Sequence, residues 1–178
     1  STKEFMQSKF LTVVLFATAS TVFIFIMSLL LGFSFSSYTD LSIVFSDLEY
    51  LLAYFIKLVG FFSFCLFLGI LVKRSAFALG FLFVWNIIEG VIKGILTFKI
   101  FPDSAAAASI MQFFPLESMS NLIVEPFTRL SLVKNLGTQI GIDHVKKYDV
   151  ELSSVLIVLC WTVIFIFLSY RLLKNRDL

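Results

Sequence analysis

The sequence predicts an all-α integral membrane protein with four transmembrane helices and short helices in a long outer link. Hydrophobic residues make up 59% of the 178 residues and charged residues 15%, against roughly 45–50% and about 25% in ordinary soluble domains. Four apolar segments have about the 20 residues that a helix needs to cross a hydrocarbon core. This composition excludes a water-soluble globular domain and a disordered chain, and the net charge of +2 is too small for a nucleic-acid binder.

The first predicted element is a short helix over residues 1–10. Ser1 and Glu4 match the S-x-x-E capping box that begins a helix. Phe5 and Met6 give the helix an apolar side, so it is predicted to be amphipathic and to lead into the first span from the cytoplasmic surface. The alternative is that these residues are simply the interfacial start of a membrane helix.

The four predicted membrane spans follow, and they differ in their charges. The first and the last span contain no charged residue, the second contains Lys57, and the third contains Glu89 and Lys93. We predict the spans over residues 11–33, 51–72, 75–97 and 152–170.

Basic residues in the short flanks predict the orientation of these spans. Lys73 and Arg74 form a tight turn between the second and third spans, which therefore form an antiparallel hairpin. Because short cytoplasmic segments are enriched in Lys and Arg, this turn, the start of the chain and the tail at residues 171–178 are predicted to face the cytoplasm. The basic residues that decide this are Lys3, Lys9, Lys73, Arg74, Arg171, Lys174 and Arg176.

The extracytoplasmic link over residues 98–151 is too long for a structureless loop in a compact protein. Capping and turn residues divide it into two predicted short helices, at residues 103–114 and 126–137. Pro115 is expected to end the first of them. Together with the spans, the link completes a single transmembrane domain over residues 1–178.

The sequence contains little that could support catalysis. It has no Gly-rich phosphate loop with a Lys, and its single histidine is His144 in the outer link. Cys65 and Cys160 lie inside apolar runs, without the spacing of metal ligands. We therefore predict no catalytic, cofactor-binding or metal-binding residues and no cofactor, and a membrane-embedded enzyme is the least favoured class.

The third span contains the most informative polar residues. Asn86, Glu89 and Lys93 are spaced by three and four, which places them on one helix face. A charge at the bilayer centre costs about 2.5–3.5 kcal/mol, so such residues usually face protein or water. Two interpretations are open: an intrahelical pair of Glu89 with Lys93, or a stripe that lines a substrate path or the seam between two subunits. Gly90 and Gly94 form a G-x-x-x-G that favours close helix packing.

The start of the chain resembles a segment of the type-2 ABC transporter permeases. Residues 1–9 read S-T-K-E-F-M-Q-S-K, similar to the S-[RT]-[KR]-E-F…K segment of that family. In the family this segment forms the cytoplasmic coupling helix that docks on the ATPase. The resemblance implies that coupling to an ATPase would involve Thr2, Lys3, Glu4, Phe5 and Lys9.

Other parts of the chain resemble the same family. Residues 170–178 are similar to its ending in an apolar helix, a basic segment and R-D-L, and residues 114–117 (F-P-L-E) are similar to its outer-link pattern. The order of span, short outer link, hairpin, long outer link and last span also fits. Since the family usually has six spans, the resemblance implies that the first two are absent from this chain.

The resemblance implies a transport subunit in a bacterial inner membrane, with ATP hydrolysis in a separate chain. Its partners would be an ABC ATPase subunit and a second permease subunit, identical or different, within the lipid membrane and without nucleic acid. Export would be the direction by analogy. The polar stripe of Asn86, Glu89 and Lys93 would line the translocation path or the dimer seam. Without the resemblance, the alternative is a self-contained four-helix channel or an assembly subunit of a membrane complex.

Overall fold

The computed structural model describes residues 1–35, 45, 48–101, 104–123 and 149–175. About 90% of these residues are helical, and none of them lies in a strand. Four helices are long and apolar enough to cross a membrane. The predicted fold class, an all-α multi-pass membrane protein, is therefore confirmed.

The helices follow one another along the chain in the expected order. The long ones are α1 (Thr2–Phe35), α2 (Leu48–Val72), α3 (Ser75–Ile95), which continues as a π-helical segment (Leu96–Ile100), and α6 (Leu152–Lys174). The short ones, both in the outer link, are α4 (Ser104–Met111) and α5 (Pro115–Asn121).

Helix α1 runs without a break through the predicted N-terminal helix and the first span. Its 34 residues give a length of about 51 Å, since an α-helix rises about 1.5 Å per residue. Both halves of the predicted capping box are present: the Glu4 N–H donates to Ser1 Oγ at 3.5 Å, and the Ser1 nitrogen donates to Glu4 Oε2 at 3.0 Å. Residues 2–10 therefore belong to the same continuous helix as the first predicted span.

The outer link differs from the prediction at Pro115. The first short helix ends at Met111 and not at Phe114, and Pro115 begins the next helix instead of only ending the first. Proline suits the first position of a helix, because its ring fixes φ and its missing N–H would have no partner there. The second predicted helix, residues 126–137, and the proposed cap at Asp103 lie outside the described residues.

The core of the molecule joins α2, α5 and α6. Its buried members come from all three helices: Phe64, Leu68, Met119, Leu122, Val158 and Phe165. The ring centre of Phe165 lies 4.7 Å from that of Phe64 and 5.3 Å from that of Trp161. The short helix α5 is thus part of the bundle and not a loop on its surface.

Helix α5 lies deep along the membrane helices. Met119 Cε lies 3.3 Å from the point that a Cβ on Gly60 would occupy. Gly60 follows Leu48, the first residue of α2, by 12 positions, which corresponds to about 18 Å along the helix axis. Helix α5 therefore lies within the bundle, in the space between α2, α3 and α6.

Helices α1 and α3 flank this core and provide much of the apolar surface. Phe16 of α1 meets Phe62 of α2 with ring centres 5.2 Å apart, and Trp85 of α3 meets Phe64 at 5.8 Å. The opposite sides of α1 and α3 expose large side chains, of which Phe83 is 70% exposed. Such surfaces are compatible with lipid or with other membrane helices.

Candidate functional site

Glu89 lies on the inner face of α3, with 5% of its surface exposed. Its Oε1 accepts hydrogen bonds from Trp85 Nε1 at 2.6 Å and from the Leu116 N–H at 3.2 Å. Its Oε2 accepts a third hydrogen bond from the Glu117 N–H at 3.0 Å. A carboxylate from one membrane helix thus caps the first turn of the link helix α5.

The first turn of α5 requires an acceptor from elsewhere. The first N–H groups of a helix have no partner within the helix, and Phe114 at the N-cap position offers no side-chain cap. Glu89 supplies the missing oxygens, and its negative charge faces the positive end of the helix dipole. An unsatisfied backbone group in the membrane interior costs several kcal/mol. Helix α5 can therefore lie deep in the bundle only because the Glu89 carboxylate accepts hydrogen bonds from its first N–H groups.

Lys93, one turn further along α3, pairs with the link and not with Glu89. Its Nζ lies 2.6 Å from Glu117 Oε1. The Lys93 side chain is 52% exposed and that of Glu117 is 19% exposed, so the pair lies towards the surface of the bundle. The two charges of α3 therefore hold a single link residue: Glu89 binds the backbone of Glu117, and Lys93 binds its side chain.

Helix α6 holds the same segment from the opposite side. Trp161 Nε1 donates a hydrogen bond to Phe113 O at 2.9 Å, directly before α5. Inside α5, Ser118 Oγ donates to Pro115 O at 2.8 Å, so this buried hydroxyl is also satisfied. We refer to the five side chains that fix the position of the segment as the link clamp: Trp85, Glu89, Lys93, Glu117 and Trp161.

The predicted polar stripe is divided in the structure. Glu89 and Lys93 face α5, whereas the Asn86 side chain is exposed and makes no hydrogen bond within the described part of the chain. An added Cβ at Gly90 or Gly94 would meet nothing within 4 Å, so neither glycine packs against another described helix. A packing role for these glycines requires a second protein chain and stays a prediction.

Four important residues of this region were not predicted from the sequence: Gly60, Trp85, Glu117 and Trp161. Trp85 and Glu89 are four positions apart, and this spacing alone could have suggested their hydrogen bond. A Cβ on Gly60 would lie 2.9 Å from Val158 Cγ1, where α2 and α6 cross. That contact joins residues far apart in the chain, so no sequence pattern around Gly60 predicts it.

The predicted coupling residues lie at the start of α1. Four of the five are exposed: Lys3, Glu4, Phe5 and Lys9. The fifth, Thr2, is half-buried, and Met6 beside it is buried. Lys9 Nζ lies 5.3 Å from the centre of the Phe5 ring, within the range of a cation–π contact. The segment is thus anchored through Met6 while the other side presents charged and aromatic groups.

Searches against protein families, curated proteins and solved structures found no match to this chain. The function of the chain is therefore inferred from the geometry of the link clamp and of the helix surfaces. Three donors engage the carboxylate of Glu89, and Lys93 neutralises Glu117. Such an arrangement is suited to holding a segment in place.

The two tryptophans of the link clamp should differ in their contributions to stability. Trp85→Phe removes a hydrogen bond to a carboxylate, and Trp161→Phe removes one to a neutral carbonyl. We expect losses of about 2 and about 1 kcal/mol in the free energy of unfolding, because bonds to charged groups are about twice as strong. Thermal unfolding of both variants in one detergent measures the difference. Equal losses, or a larger loss for Trp161→Phe, would contradict the assigned role of Glu89.

Proposed function

We propose that this chain is the transmembrane permease subunit of an ATP-driven ABC transporter, with export as the direction. It would lie in a bacterial inner membrane with both of its ends in the cytoplasm. The proposal is supported by the element order, which is the order that the resemblance implies. The observation that carries it is the return of α5 into the bundle, where the link clamp holds it.

A returning outer link has a clear use in a transporter. Alternating access requires that the outer end of the path be closed while the inner end is open. Helix α5 lies in the space between α2, α3 and α6, with Met119 and, directly after the helix, Leu122 in the core. It would act as the outer closure of the path, and Glu89 and Lys93 would hold that closure.

Helix α1 offers a route from the predicted coupling residues to this closure. It is continuous from Thr2 to Phe35, so a displacement at its exposed start is carried along a single helix axis. Through Phe16 it contacts Phe62 of α2, and α2 packs on α5 and α6. ATP-driven closure of the ATPase pair would bias the bundle between two packing states.

A second permease subunit would pack on the exposed face of α3. Asn86 lies on this face, and a polar side chain in the membrane is stabilised by a hydrogen-bond partner from another helix. Gly90 and Gly94 leave open space for the close approach of such a helix. The dimer seam would then contain Asn86, while Glu89 and Lys93 belong to the outer closure.

Purification of the native complex through a tag after Leu178 tests the proposal. We expect an ABC ATPase to copurify in fixed stoichiometry, and we expect Glu4→Ala with Phe5→Ala to lower its substrate-stimulated ATP hydrolysis by about tenfold. Membrane insertion should be unchanged, because both side chains are exposed. Gln7→Ala, at another exposed position of the same helix, is the matched control.

A purified chain without an ATPase would contradict the proposed function, and ion conductance of that chain in liposomes would then identify the four-helix channel as the correct alternative. Full stimulation of ATP hydrolysis in the variant with both coupling residues replaced would contradict the assignment of coupling to Glu4 and Phe5.

A further inference from the structure

A groove with a volume of about 330 Å³ lies between α2 and α3, close to the turn that joins them. This volume is in the range of sites that hold small ligands. The groove is lined by apolar and small residues from both helices: Cys65, Leu68, Gly69, Ala78, Leu79 and Leu82. None of its lining residues belongs to the link clamp.

Two cations lie one helical turn beyond the walls of this groove. The Lys73 N–H donates to Gly69 O at 3.0 Å, and the Ala78 N–H donates to Arg74 O at 3.0 Å. Each wall therefore ends one turn from a basic residue. Lys73 and Arg74 are both exposed, and neither forms a salt bridge with any residue that the structure describes. The groove thus combines apolar walls with a positively charged end.

The backbone at Lys73 is also informative. Its φ of 62° lies in the left-handed region, which favours glycine. A lysine at this position is less favourable for the turn than a glycine would be. The charge is therefore present at a cost to the local conformation, which agrees with a role for the cation beyond closing the turn.

We propose that the groove binds one anionic phospholipid. An acyl chain lies along the apolar walls, and the phosphate group contacts Lys73 and Arg74. The apolar walls would accept the chain of any lipid, whereas the two exposed cations select a negatively charged headgroup. This site is independent of the proposed transport function, and it can be tested on the chain alone.

Native mass spectrometry of the purified chain in a mild detergent tests this site with phosphatidylglycerol and phosphatidylcholine. We expect one phosphatidylglycerol per chain, and an affinity about 30-fold weaker in the double variant Lys73→Gly with Arg74→Gln. This factor follows from about 1 kcal/mol for each basic residue near a lipid headgroup. Glycine suits the left-handed backbone, so this variant keeps the turn. Phosphatidylcholine should bind weakly and equally to both proteins.

Two further variants distinguish the contribution of the two cations to lipid binding from that of the groove. Arg171→Gln with Lys174→Gln removes two exposed charges at the end of α6 and should keep phosphatidylglycerol binding unchanged. Gly69→Leu keeps both cations but fills the groove, and it should abolish binding. A Cβ at Gly69 meets nothing within 4 Å, so this helix is expected to fold normally.

Several outcomes would overturn the lipid site. These are unchanged binding in the Lys73 and Arg74 variant, unchanged binding in Gly69→Leu, or phosphatidylcholine binding as tightly as phosphatidylglycerol. A chain that dimerises, binds no phosphatidylglycerol and loses the dimer in Gly69→Leu would assign the groove to a second copy instead.

Discussion

Replacement of Glu89 by leucine is expected to release α5 from the bundle and to lower the free energy of unfolding by about 3–5 kcal/mol. The variant leaves three donors without an acceptor, Trp85 Nε1 and the N–H groups of Leu116 and Glu117. Each unsatisfied donor costs about 1–3 kcal/mol, and the membrane interior offers no water as a substitute. Glu89→Gln retains one acceptor oxygen, so its loss should be about half as large.

Hydrogen exchange reports this release at the affected residues. In the wild type, the carboxylate of Glu89 holds the amides of Leu116 and Glu117, which are expected to exchange slowly. In Glu89→Leu, a peptide over residues 113–122 should exchange as fast as an unstructured segment, while peptides from α2 remain protected. Thermal unfolding in the same detergent measures the accompanying loss of stability.

Glu49→Leu is the matched control for this change. Glu49 is an exposed carboxylate in the first turn of α2, so the same substitution removes a charge without breaking the link clamp. We expect wild-type exchange over residues 113–122 in this variant. Should Glu89→Leu also keep wild-type exchange and stability, Glu89 does not hold α5, and its assignment to the outer closure would be wrong.

The membrane helices were predictable because apolar length is a local property of the chain. Residues 51–72 were predicted as the second span, and α2 covers Leu48–Val72. Local capping chemistry also predicted the start of α1 at Ser1 and Glu4. It predicted less in the outer link, because proline both ends one helix and begins another, and the sequence does not distinguish these roles at Pro115.

The environment of Glu89 was only partly predictable. Its spacing from Lys93 predicted a common helix face, and both side chains contact Glu117. The same spacing favoured an intrahelical ion pair, but both side chains bind the link instead. The reason is a long-range one: α5 begins without a side-chain cap of its own, and the nearest acceptor belongs to α3. No local pattern in the link shows where it returns to the bundle.

The glycines also show that a local sequence motif does not predict where helices pack. Gly90 and Gly94 form a recognisable motif, yet the space around them is open within the chain. Gly60 belongs to no such motif and is the one at which helices of this chain approach most closely among the described glycines. A sequence motif gives the potential for close packing, whereas the crossing point of α2 and α6 depends on both helices at once.

Substitution of Gly60 by alanine is therefore expected to destabilise the protein by about 1–3 kcal/mol, the usual cost of overpacking. The new Cβ would lie 2.9 Å from Val158 Cγ1 and 3.3 Å from both Met119 Cε and Thr162 Oγ1. Alanine is a better helix former than glycine by about 1 kcal/mol, so any loss arises from packing. Thermal unfolding in detergent measures it, and Gly60→Val should cause a larger loss.

Two comparisons make this prediction specific to the crossing of α2 and α6. Gly90→Ala places the same Cβ in open space and should leave stability unchanged or raise it by up to about 1 kcal/mol. Val158→Ala removes the methyl group that the new Cβ would meet. The double variant of Gly60 and Val158 should therefore lose about 1 kcal/mol less than the sum of the single variants. Additive losses, or equal effects at Gly60 and Gly90, would mean that α2 and α6 do not cross at Gly60.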